Sequence, residues 1–135
     1  MGRSLLILLD THVVIWLGLE PARVSRNART AIDESRKDGT GLAVSGMTLL
    51  EITLLSRKKR IHFTPSLETF LTDVETRFMV LPISARICVR SSSLPLSYPN
   101  DPADRIIGAT ALSEGIPLIT ADREIRNSRA LPTIW

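Results

Sequence analysis

The stretch Leu5-Leu6-Ile7-Leu8-Leu9-Asp10-Thr11 decides the fold. Five apolar residues in a row suit a short strand buried on both faces, as a parallel sheet covered by helices requires. The run ends on an aspartate. In an open parallel sheet the carboxyl ends of the strands line one edge, where residues distant in sequence meet in a crevice. The stretch therefore predicts a sheet and also the edge on which its chemistry lies. The apolar start superficially resembles a signal peptide, but Asp10 and His12 interrupt it before the run is long enough.

Working outward, short apolar runs alternate with helical stretches, the pattern of crossover units around a parallel sheet. Helices are expected near Thr11–Leu17 and Ser25–Lys37, then a turn at Asp38-Gly39 and a strand at Gly41–Val44. Ser45 starts a helix running to about Arg60, followed by a helix near Ser66–Arg77, a strand at Phe78–Leu81 and a helix over Ser84–Ser91. Asp101-Pro102 opens a helix that ends at Gly115, with proline in the first turn and glycine just past the last. A strand at Pro117–Thr120, a short helix after Asp122 and an edge strand at Thr133–Trp135 complete the reading.

The chain has 135 residues, 44% of them hydrophobic, which fits one domain over residues 1–135 with a single core. Its single cysteine, Cys88, excludes an internal disulfide framework, and its neighbours Ile87 and Val89 make it a core thiol by expectation. No other stretch approaches the length of a membrane span, so no membrane association and a cytoplasmic location are expected. A net charge of +3 and a pI of about 9.6 permit an anionic polymer as partner. Positive charge concentrates at Arg57-Lys58-Lys59-Arg60, with arginines at 23, 26, 29, 105, 123, 126 and 129. The cluster fits phosphate attraction and equally a solvated helix end, where cations favour the negative pole of the dipole.

Four acidic positions carry the chemistry: Asp10, Glu51, the Asp101/Asp104 pair and Asp122. Asp10 and Asp122 each follow an apolar strand and precede a helix, so capping accounts for either one alone. Asp101 and Asp104 share a first helical turn; Asp101 fits an N-cap, and Asp104 ranks above it as a ligand. Capping does not explain Glu51. It sits among Met47, Leu50, Leu54 and Leu55 at helical spacing, and a carboxylate in such a stripe needs a cation, a metal or the stripe's wet border. Ser45 is the expected N-cap of that helix. Acids gathered at one edge repel, at about 4 kcal/mol for a pair 4 Å apart at an effective dielectric near 20. A cation resolves the conflict, and all-oxygen ligands suit magnesium or manganese.

With these residues in place, the chain resembles PIN-domain ribonucleases, and among them the VapC-like toxins of bacterial toxin-antitoxin pairs. The resemblance covers nearly the whole length. It is carried by Leu8-Leu9-Asp10-Thr11-His12, by Ser45-Gly46-Met47-Thr48-Leu49-Leu50-Glu51-Ile52, by Asn100-Asp101-Pro102-Ala103-Asp104-Arg105-Ile106-Ile107, and by Leu118-Ile119-Thr120-Ala121-Asp122. It departs at Ala103, where many relatives have a bulky aromatic residue, and at Ser97-Tyr98-Pro99-Asn100, where a histidine is more usual.

The resemblance implies a three-layer α/β/α PIN-like fold around a central, mainly parallel sheet. It implies Asp10, Glu51, Asp104 and Asp122 as catalytic metal-binding acids with Asp101 as accessory, and hydrolysis of RNA with Mg2+ or Mn2+. It also implies a homodimer and a cognate antitoxin that covers the groove, with apolar positions of the Thr48–Leu55 and Ser66–Phe78 helices available to line it. RNA would be neutralised by metal and by residues such as Arg105 or Arg123. Low aromatic content, 4%, argues that base stacking is minor. His12 and His62 are expected to be structural or surface residues. Two rivals stand beside this reading. A phosphoaspartate phosphatase wants a second aspartate where this chain has His12, and a receiver wants a lysine after a late strand. A non-catalytic RNA-binding or protein-interaction domain predicts no metal dependence.

Overall fold

The computed structural model describes residues 6–39 and 41–135. Five strands form the sheet: β1 (Ile7–Leu9), β2 (Leu42–Ser45), β3 (Met79–Leu81), β4 (Leu118–Ile119) and β5 (Thr133–Ile134). Every pairing is parallel and the order is β3-β2-β1-β4-β5. The chain winds outward from β1 in one direction and then returns to its other side, so the order reverses between β1 and β4. That reversal point is where an open α/β sheet offers a crevice. The helices are α1 (Thr11–Leu19), α2 (Arg26–Asp38), α3 (Gly46–Arg57), α4 (Leu67–Arg77), α5 (Ala85–Ser91), α6 (Pro102–Glu114) and α7 (Arg123–Ser128).

The strands are apolar on both faces because both are covered. Ile7, Leu9, Leu42, Val44 and Ile119 pack into one core with Val13 and Val14 of α1, Ala28 and Ile32 of α2, Ile52 of α3 and Val74 of α4. The alternate residues Leu8, Ala43 and Leu118 pack into a second core with Ile107 and Ala111 of α6 and Ile125 of α7. This is the three-layer α/β/α architecture expected from the sequence. Leu8, Leu9, Leu118 and Ile119 are each fully buried, and each such side chain contributes roughly 1.5–3 kcal/mol.

The expected elements are all present, with ends moved by a residue or a few. Leu5, expected in the first strand, lies outside the described residues. Arg57 is in the last turn of α3 and Lys58 is its C-cap, so the basic cluster sits at a helix end as the dipole reading holds. Cys88 overturns its expectation: it is exposed. The reason is that α5 has seven residues and buries only Ile87, leaving the next position around the helix turned outward.

Tyr98 shapes the second core. Its ring is buried, its Oη donates to the Asp104 carbonyl at 2.8 Å, and its hydroxyl end lies close against Gly108 of α6. A Cβ at position 108 would stand 2.3 Å from Tyr98 Oη and 2.7 Å from Cζ. Gly108→Ala therefore forces a packed ring to move and is expected to destabilise the fold by about 1–3 kcal/mol in urea denaturation. Unchanged stability would mean that Tyr98 has room to shift.

Candidate active site

Register brings the first acid to its partners. Leu9 pairs with Ile119 across β1 and β4, which sets Asp10 beside Thr120 one residue beyond the paired strands. The Asp10 amide donates to the Ile119 carbonyl at 3.0 Å. The buried Thr120 hydroxyl donates to Asp10 Oδ2 at 2.7 Å, and Asp10 Oδ1 accepts from the Thr11 amide at 2.9 Å, capping α1. Asp10 is thus buried with both oxygens engaged.

Glu51 comes from the middle of α3. Thr11 Oγ1 donates to Glu51 Oε1 at 2.5 Å, and Thr11 Oγ1 lies 3.0 Å from Thr48 Oγ1. A hydroxyl has one proton, so with Thr11 donating to Glu51 it is Thr48 that donates to Thr11. The apolar stripe expected around Glu51 is corrected here. Leu50 and Leu54 are 49% and 37% exposed. The buried face of α3 carries Thr48 and Ile52 instead, about one residue around the helix. Glu51 sits at the stripe's wet border, and no described lysine or arginine pairs with it.

The remaining acids come from helix N-termini. Asp101 caps α6, accepting on Oδ1 from Ala103 N at 2.9 Å and Asp104 N at 3.2 Å. Asp122 caps α7, accepting on Oδ1 from Ile125 N at 3.1 Å, while its own amide donates to Thr120 Oγ1 at 3.1 Å. In each of these two, one oxygen caps and the second has no partner among the described residues. The Asp104 carboxylate accepts no hydrogen bond from any described residue.

Asp10, Glu51, Asp101, Asp104 and Asp122 all line one cavity of about 340 Å³, completed by His12, Trp16 and Ala121. The structure therefore gathers every acid that the sequence singles out. A larger cleft of about 400 Å³ between α1, α2 and α4 holds a single acid, Asp73, and stands apart from the strand ends. Among the described residues no three His, Cys, Asp or Glu side chains form a ready-made metal cage. The acids share a cavity without closing on one another.

Their electrostatics show the cost. Burial raises Asp104 to about 7, with further upward pressure from Asp10, Asp101, Glu51 and Asp122. Burial also raises Asp10 and Glu51, against which the Thr120 and Thr11 hydroxyls pull down. The donor set fits a hard divalent cation: carboxylate oxygens only, facing a shared space and destabilised by each other's charge.

Arg105 does not reach the substrate side. Its guanidinium donates to the Ser91, Tyr98, Pro99 and Leu94 carbonyls, which uses both Nη atoms and Nε to clamp the segment between α5 and α6. The expected phosphate contact from Arg105 is corrected accordingly, because its donors face backbone. Arg123, also expected there, is exposed beside Asp122. Sequence reasoning missed Thr11, Thr48 and Thr120 as site residues, although each lies one to three positions from an acid. It also missed Trp16, four residues after His12 and so on the same helical face.

A family model described as PIN domain matches residues 7–130. Ribonuclease VapC22 of Mycobacterium tuberculosis is 34% identical over 131 residues, spanning 96% of this chain and 98% of that protein. Among solved structures, DNA-bound VapBC from Salmonella typhimurium superposes with a TM-score of 0.70 at 20% identity over 96% of each chain, a likeness of fold. A toxin-antitoxin complex from Klebsiella pneumoniae superposes with a TM-score of 0.60 at 25% identity over 88% of each chain.

The raised Asp104 has a thermodynamic consequence. An unfolded aspartate ionises near 3.8, whereas in the fold Asp104 holds its proton to about 7. The native state therefore binds more protons across that window, and stability contributed by this group falls as pH rises from about 4 to 7. Asp104→Asn removes the cost. Allowing for solvent on its open side, metal-free Asp104→Asn is expected to exceed the parent protein by about 1–2 kcal/mol at pH 8 and by much less at pH 5. Equal differences at both values, measured by denaturation, would contradict the charge-crowding account.

Proposed function

We propose, since the chain belongs to the PIN-domain family, that it is a metal-dependent endoribonuclease toxin that hydrolyses RNA phosphodiester bonds and is held in check by a cognate antitoxin. The observation that carries the reading is the convergence of Asp10, Glu51, Asp101, Asp104 and Asp122 on one cavity at the carboxyl edge of the sheet. The identity to a curated ribonuclease along almost the full length of both chains supports the reaction class. The Klebsiella toxin-antitoxin complex supports the partner. We also infer a homodimer, as the family resemblance implies.

Asp10, Glu51, Asp104 and Asp122 would hold Mg2+ or Mn2+, with Asp101 as accessory. When bound, a divalent cation lowers the pKa of water and stabilises charge developing on a phosphoryl group. The chain's own residues supply the positioning. Thr120 and the Thr11 amide fix both oxygens of Asp10. Thr11, backed by Thr48, fixes one oxygen of Glu51. The N-termini of α1, α6 and α7 carry Asp10, Asp101 and Asp122 as caps, so three helix dipoles place positive potential behind the carboxylates. These devices keep an acidic set assembled before substrate arrives, which suits a reaction that depends on placement of a phosphate.

The test is incubation of purified protein with structured RNAs in magnesium or manganese, alongside a chelator control and the variants Asp10→Asn and Asp104→Asn. Cleavage is expected with metal, with loss under chelator and a drop on the order of 100-fold or more in each variant. Folded protein that binds neither ion would sink the proposal and favour a non-catalytic RNA-binding or protein-interaction role.

A further inference from the structure

The chain has two tryptophans, Trp16 and Trp135, and the fold brings them together beside the carboxylate cavity. Their ring centroids are 5.9 Å apart. His12, one turn before Trp16 on α1, lies 6.0 Å from it, ring centre to ring centre. The Arg23 guanidinium stands over the Trp16 ring at 4.3 Å from the centroid. Trp16 and Trp135 are both half-buried, and His12 and Arg23 are exposed. His12 and Trp16 line the same cavity as the five acids. His12 and Trp16 thus wall the place where a phosphate would lie, with the Trp135 ring and the Arg23 guanidinium set against Trp16 behind them.

Trp16 and Trp135 pack at the margin of the first core rather than inside it, and each keeps part of its surface open. What such a wall offers is a π-face and a stacked guanidinium, the two groups on which unpaired bases stack. We infer that the cluster of Trp16, Trp135, His12 and Arg23 is a base-stacking subsite that holds one unpaired nucleobase of single-stranded RNA next to the scissile phosphate. This rests on the nuclease reading of the neighbouring cavity. It also bears on the expectation that base stacking is minor, because one of the chain's few aromatic residues, Trp16, lines the cavity itself.

The subsite takes a base that is not paired, since a base inside a duplex has no free face to give. It does so without reading the base edge, so discrimination among bases is weak and discrimination against duplex is strong.

Because both tryptophans belong to the cluster, intrinsic tryptophan fluorescence reports on it alone. The experiment uses the full chain carrying Asp104→Asn, in magnesium, titrated with a single-stranded RNA hexamer and with the same ribose-phosphate backbone lacking bases. Base-bearing RNA is expected to quench the fluorescence and to bind roughly 10-fold tighter than abasic RNA. Adding Trp16→Ala or Arg23→Ala should shrink that ratio while leaving abasic binding in place, and Trp16→Phe should restore most of it. Arg23 is exposed, so its variant keeps the test alive if Trp16→Ala folds poorly. Equal affinity for both RNAs without quenching overturns the subsite, as does an equal loss for both RNAs in every variant. Metal-dependent cleavage by the parent protein is read in parallel. Stacking without cleavage sinks the nuclease reading and leaves the subsite, whereas cleavage with no preference for bases sinks the subsite alone.

Discussion

The pairing of Leu9 with Ile119 is the constraint from which the site follows. It joins the first strand to one that comes more than a hundred residues later, and it puts Asp10 next to Thr120 at the point where the strand order reverses. Loss of that register by one residue would turn Leu8 and Leu9 to the wrong cores and separate the carboxylate from its hydroxyl at once. Packing and chemistry are therefore specified by the same contact.

Helix capping and site membership look like competing explanations when each aspartate is considered singly. The structure shows that they are one arrangement. Asp101 and Asp122 spend one oxygen on the amides of their own helix and keep the other unpartnered, and Asp10 caps α1 while Thr120 holds its second oxygen. The helix N-termini make a crowded acidic site tolerable, because their orphan amides satisfy part of each carboxylate and their dipoles favour the charge. Asp104 has no such partner, and burial together with its acidic neighbours raises it to about 7.

Much of this was legible in the sequence because it follows from local rules. Apolar runs ending on acids marked the strands and the edge, and Pro102 and Gly115 bracketed α6. Glu51 stood out as an acid that capping could not explain. What escaped depends on rotation about a helix axis or on the fate of one long side chain. The buried face of α3 runs through Thr48 and Ile52 rather than Leu50 and Leu54, a difference of one residue that composition does not resolve. Cys88 and Ile87 differ in the same way. Arg105 has the charge to bind phosphate, but four backbone carbonyls that only the folded loop assembles take its donors. The meeting of Trp16 and Trp135 is long-range and left no local mark.

The Arg105 clamp bears on how genetic data for such a protein would be read. Arg105 follows Asp104 directly, so a survey of loss-of-function substitutions would flag both as one acidic-and-basic motif and invite a shared catalytic role. The two losses are different in kind. Asp104 faces the cavity with no hydrogen-bond donor of its own, and replacing it relieves the fold. Arg105 holds the backbone from Ser91 to Pro99 against α6, and replacing it strands four carbonyls. Adjacent positions in the chain would thus share a phenotype through opposite effects on the amount of folded protein, and only abundance measured alongside activity tells them apart.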